Sequence, residues 1–177
     1  MFRQLNTRLW PILSLLLAMP VWSAEIRDLR WAEMIPPHAR LLPPPVPLHD
    51  LSQLANVLAA ESGPAAVQQA PAAPVVESLD GAWVKLPGYI VPLEFSAENR
   101  AVDFLLVPYL GACIHVPPPP SNQIVHVRTE LGVLVNDLDQ PFWVEGILQV
   151  KHSSSELAEA GYAMEADKIY LYGSAER

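Results

Sequence analysis

A cysteine, a histidine and four prolines stand almost side by side in this chain: Cys113, His115, then Pro117, Pro118, Pro119 and Pro120. Cys113 is the only cysteine among 177 residues. On an extended strand, positions two apart share a face, so thiol and imidazole would point the same way. A soft thiolate beside an imidazole is half of a zinc or copper site. His126 is the third ligand on offer, provided the chain beyond the prolines returns alongside the first strand in the right register. Glu94 or Asp103 would add a carboxylate. Structural zinc sites declare four ligands at regular spacing, and here only the Cys113–His115 pair is declared. A bland alternative stands beside it: Cys113 as a buried small hydrophobe with His115 hydrogen-bonded nearby, the ordinary fate of a free cysteine.

Thiol catalysis is a third reading of the same pair. A nucleophilic cysteine needs a base and a group that orients the base. His115 supplies the first, and no Asn or Asp is marked as the second. One cysteine also excludes a redox Cys-x-x-Cys. No residue is therefore assigned a catalytic role, and an enzyme is the disfavoured class.

The proline run fixes φ at successive positions and rigidifies whatever it connects. It also offers a polyproline II ridge that an aromatic-lined groove can grip. On that second reading Tyr109, Pro117, Pro118, Pro119, Pro120, Asn122 and Gln123 form a surface for a protein partner.

The elements that must position these residues are mostly strands. Residues 82–93 read as extended, with Pro87 and Gly88 marking a bulge or bend. Residues 102–107 are a continuous apolar run, as in a strand covered on both faces. Residues 123–129 alternate, Val125 and Val127 against Ile124, His126 and Arg128. In residues 142–150, Phe142, Val144, Leu148 and Val150 oppose Trp143, Glu145, Ile147 and Gln149. Residues 153–160 read as a helix, with Ser153 and Glu156 at capping-box spacing, and residues 167–172 close the chain as a strand. Five strands in so short a stretch predict a mainly β domain, a small OB-like barrel over residues 79–177, with a two-layer sandwich as the competitor.

Residues 25–78 read as an extended Pro-rich arm. Trp31, Met34 and Ile35 recur at helical spacing and would dock one short turn. Residues 50–60 read as a short helix, with Asp50 and Gln53 at capping-box spacing and Leu51, Leu54, Val57 and Leu58 as its stripe. Residues 61–76, rich in Ala, Pro and Gln, read as a linker.

Residues 1–24 have the form of a secretory signal peptide. Arg3 and Arg8 precede an apolar run over residues 9–18, and Val21, Trp22, Ser23 and Ala24 lead to a cleavage point. The run is short for a membrane span, so the mature product is expected to be periplasmic and not membrane-inserted. Removing it leaves nine basic residues against nineteen acidic ones, a balance of −10. That charge excludes the electrostatic footprint of a nucleic-acid binder.

Four stretches of this sequence resemble an uncharacterised family of exported bacterial proteins, domain of unknown function 3299. They are Lys85-Leu86-Pro87-Gly88-Tyr89-Ile90-Val91-Pro92-Leu93-Glu94, Phe104-Leu105-Leu106-Val107-Pro108-Tyr109, residues 111–123 and Ala160-Gly161-Tyr162. The resemblance spans roughly residues 26–172 and is tightest over 84–127. It implies a gene neighbourhood of MacB- or LolC-like ABC permeases and periplasmic metal-binding proteins, often in zinc-responsive clusters. The role it implies is that of an accessory in periplasmic metal handling or ABC transport, and the residue reading adds zinc at Cys113 and His115 as the cofactor such a role would use. A metal-free interaction module is the alternative.

Overall fold

The structure, a computed structural model, describes residues 26–39, 67–113, 117–134 and 138–173. The expected signal peptide and the helix expected over residues 50–60 lie outside them.

Eight strands form in chain order: β1 (Arg27–Asp28), β2 (Trp83–Phe95), β3 (Arg100–Val107), β4 (Val125–Leu134), β5 (Phe142–Gln149), β6 (Ser153–Ser154), β7 (Glu159–Ala160) and β8 (Tyr162–Leu171). Five of them close on themselves in the order β2-β3-β4-β8-β5, with β5 returning to β2. β4 and β8 run parallel and the other barrel pairs antiparallel. This is the closed Greek-key barrel of the OB type that the strand pattern predicted.

Closure depends on β2 belonging to two sheets. It pairs with β5 from Trp83 to Gly88 and with β3 from Tyr89 to Phe95. The bend expected at Pro87 and Gly88 is therefore where the strand changes partner. Gly88 fits because a Cβ there would lie 2.8 Å from Leu106 Cγ and from the Val107 carbonyl. A second close approach falls at the bulge between Glu145 and Gly146, where a Cβ on Gly146 would run into the Glu165 carbonyl.

Alternation along the strands sorts the apolar side chains into two cores. Val84, Leu86, Ile90, Phe104, Leu106, Val125, Val127, Phe142, Val144, Leu148 and Met164 fill the barrel. Val91, Leu105, Val107 and Ile124 point outward, where Ala112, Ala158 and Ala160 cover them. The unbroken apolar run of β3 is explained by these two cores, since Phe104, Leu105, Leu106 and Val107 are all buried.

The described part of the arm belongs to this body. β1 pairs in parallel with β2, and a 3₁₀ turn over Trp31–Met34 buries Met34. Trp31 Nε1 donates to the Pro87 carbonyl at 2.6 Å. The buried Tyr162 hydroxyl donates to the Met34 carbonyl (2.8 Å) and accepts the Val76 N–H (2.7 Å), pinning both pieces of the arm. Among the described residues no helix is long and apolar enough to cross a membrane.

One predicted element is corrected. Residues 153–160 form no helix: β6 and β7 make a small antiparallel hairpin. Ser155 Oγ accepts the N–H groups of Leu157 and Ala158 and donates to the Ala158 carbonyl. Those are backbone groups a helix would have to pair along its own axis. The capping-box spacing of Ser153 and Glu156 was a false signal.

Candidate functional site

The outer face of β3 and β4 carries Asp103 and His126, two of the residues singled out by the sequence. Leu105 pairs with His126 and Asp103 with Arg128. The apolar end of this face carries the second core, and its polar end carries a hydrogen-bonded chain. His126 Nε2 lies 2.6 Å from Asp103 Oδ1, and His126 Nδ1 lies 2.9 Å from Ser153 Oγ on β6. Arg128 Nε donates to the other Asp103 oxygen at 3.0 Å. The Asp103 and His126 side chains are only 15% and 12% exposed, while that of Arg128 is 62% exposed. The Asp103 bond is the largest of several interactions that raise the Arg128 pKa above its ordinary value.

Cys113 lies in the loop after β3, packed against the second core together with Tyr89, Leu93 and Tyr109. Its φ of 69° is in the left-handed region, which costs a non-glycine residue on the order of 1 kcal/mol. Burial pushes its thiol up to about 11. Tyr109 is pushed up to about 12, first by its own burial and then by the neighbouring thiol. At neutral pH Cys113 is therefore a protonated thiol and a poor nucleophile, which removes support from thiol catalysis. His115 lies outside the described residues. Among those described, no three His, Cys, Asp or Glu side chains stand together as a metal-binding group. Both ring nitrogens of His126 are occupied by Ser153 and Asp103, so it is not a free ligand waiting for a third position.

The four prolines are taken up by the chain itself. Pro118 and Pro119 are buried. The Tyr109 hydroxyl reaches the Pro117 carbonyl at 3.5 Å, the Gln69 N–H the Pro118 carbonyl at 3.2 Å, and Gln68 Nε2 the Pro119 carbonyl at 3.0 Å. Asn122 Nδ2 donates to the Pro74 carbonyl and Gln123 Nε2 to the Trp31 carbonyl. Having no N–H, a proline run exposes only acceptors, and residues 67–74 supply the donors. The stretch expected as a linker is a strap laid along the prolines. Of the residues expected to meet a partner, Tyr109, Pro117, Pro120 and Gln123 keep part of their surface in solvent, and Asn122 is buried.

Two participants carry no local signal of their role. Ser153 has the sequence context of a helix cap and instead meets His126. Gln68 lies in a linker-like stretch, yet its amide bonds both the N–H (2.8 Å) and the carbonyl (2.7 Å) of Glu159 and joins strap to hairpin. The legible signal is the alternation that sets His126 and Arg128 on the opposite side of their strand from Val125 and Val127.

Fold and face together define an OB-type barrel whose β3–β4 surface, with the loops around it, is folded over by its own chain. The sequence matches the family described as "Protein of unknown function (DUF3299)" over residues 31–171, and the chain belongs to that family. It is also similar to a crystal structure of a DUF3299 family protein from Pseudomonas aeruginosa PAO1, with 57% identity and a TM-score of 0.74. That match covers 86% of this chain and 99% of the other. No curated protein matches the sequence.

Proposed function

We propose that this protein is a periplasmic accessory of a metal-uptake or ABC-transport system, acting as a rigid module that docks on a permease or a periplasmic metal-binding protein. The observation that carries the reading is the loop after β3. Ala112 and Cys113 anchor it on the second core, and Leu110 between strand and anchor is 56% exposed. Leu157, on the hairpin covering the same core, is 38% exposed. Apolar side chains held out on a fixed backbone lose little entropy on docking, which is what a preorganised contact requires. The leader-like pattern of residues 1–24 and the gene neighbourhood that the family resemblance implies are what support the compartment and the partner class. Zinc held by Cys113 and His115 is the finer form of this reading, the metal supplying a cross-link between loop and partner.

A photo-crosslinking side chain at position 110 tests it in cells. Capture of an ABC permease subunit or a metal-binding protein is expected, with no capture from position 149 on β5. Export at normal levels with no such partner captured at 110 overturns it. Zinc titration separates the two forms: binding by wild type, lost in Cys113→Ser and in His115→Ala, is required by the metal form. Absence of binding leaves the metal-free module.

A further inference from the structure

Asp103, His126 and Ser153 come from β3, β4 and β6, three elements far apart in sequence, and converge in one line. The geometry points to an activated serine: we propose that Ser153 is a nucleophile toward carboxylic esters, with His126 as its general base and Asp103 as the residue that positions the base. This is independent of the docking role above.

The argument starts from proton bookkeeping. Asp103 accepts from Arg128 at one oxygen and faces His126 at the other (3.0 and 2.6 Å), so it is a carboxylate with acceptors only. The proton between Asp103 and His126 must then reside on Nε2. That fixes the imidazole tautomer and leaves a lone pair on Nδ1, aimed at Ser153 Oγ 2.9 Å away. With the imidazole neutral, the proton in that bond is the serine's own. A hydroxyl donating to a neutral imidazole whose far nitrogen is held by a carboxylate is the arrangement that general-base activation needs, and both distances are within reach. Asp103 and His126 are largely screened from water while Ser153 is partly exposed, so an electrophile can reach the hydroxyl without disturbing its support. The imidazole is used with its nitrogens exchanged relative to the familiar serine-protease order, and the proton logic is the same.

In the reaction, Oγ attacks the ester carbonyl carbon as its proton passes to Nδ1. The bond to the alcohol oxygen breaks, and the leaving alkoxide takes the proton back from Nδ1. Water, giving a proton to the same nitrogen, then attacks the acyl-serine and releases the acid, and the proton returns to Ser153.

The test uses the full mature chain and a fluorophosphonate probe, whose phosphorus Ser153 attacks with loss of fluoride. Intact mass and peptide mapping should show a single adduct on Ser153. Asp103→Asn should label about 100-fold more slowly or worse, since it permits the wrong tautomer. A hydrogen bond that merely braces the hairpin would produce neither the adduct nor its dependence on Asp103. Wild-type protein, folded by circular dichroism, that takes no adduct at millimolar probe overturns the proposal. So does an adduct on another residue, or a folded Asp103→Asn that labels at the wild-type rate. The wild-type arm needs no mutation, so a variant that fails to fold does not shield the idea.

Discussion

β3 separates two environments that are built in different ways. On its inner side Phe104 and Leu106 meet residues of the other barrel strands, placed by a regular ladder. On its outer side Leu105 and Val107 are covered by the loop after β3 and by the β6–β7 hairpin. Those coverings are held by short, local bonds: the two-residue β6–β7 ladder, the Tyr109 hydroxyl on the Pro117 carbonyl, and the Gln68 amide on both backbone groups of Glu159. The inner core is cooperative, because every strand contacts two others. The outer core is modular, and its cover can loosen piece by piece without opening the barrel.

Substitutions on the two sides should expose this difference. Phe104→Ala leaves a large void that the barrel walls cannot fill and should cost about 3–5 kcal/mol in denaturant unfolding. Leu105→Ala faces loops able to settle inward and should fall near the lower end of its class, about 2 kcal/mol. An equal or larger loss at Leu105 would break the distinction. Tyr162→Phe lies where the arm is tied to the barrel. It leaves the Met34 carbonyl and the Val76 N–H without their partner, an expected loss of about 1–3 kcal/mol, with faster proteolysis of the arm. Gln68→Ala sharpens the picture further. The global unfolding midpoint should move little, while hydrogen exchange at Glu159 quickens and residues 67–74 become open to protease.

A pH titration probes the outer core through two of its side chains. Cys113 is raised from 9.0 to about 11 and Tyr109 from 10.0 to about 12, in both cases chiefly by burial. Each is an acid whose neutral form is favoured by the fold. Their stabilisation is complete below about pH 9 and is lost as pH climbs towards about 11 and 12. Alkaline loosening of the loop should precede loss of the barrel, and thiol alkylation should stay slow until that window. The smallest effect belongs to Glu33, whose carboxyl is held below its usual range mainly by the Arg27 side chain and then by the Arg30 backbone. Its contribution is present above about 4.5 and fades as pH falls, and with partners this exposed it should barely register in a melting curve.

The barrel was legible because strands carry their environment in a two-residue period. Val125 and Val127 against Ile124 and His126, and Phe142, Val144 and Leu148 against Trp143 and Glu145, name the inner side without any knowledge of partners. Pro87 and Gly88 marked the point where β2 changes sheet. The segments over 67–76 and 153–160 carried no such period. The strap looked like a linker because its order comes from bonds to Pro118, Pro119 and Ser121, far along the chain. The hairpin looked like a helix because Ser153 and Glu156 imitate a cap, and nothing local reveals that Ser155 spends its hydroxyl on the turn.

What the sequence determined unaided was composition-level and periodic: an acidic chain, a β barrel of OB type, and a single thiol next to a proline run. Only the tertiary structure decided that the prolines face inward to a strap of the same chain and that His126 stands between Asp103 and Ser153. The reason is the range of the forces involved. Side-chain alternation is a property of neighbouring residues and is written along the chain. A hydrogen bond between β3, β4 and β6 depends on register and closure, which come into being only when the barrel is complete.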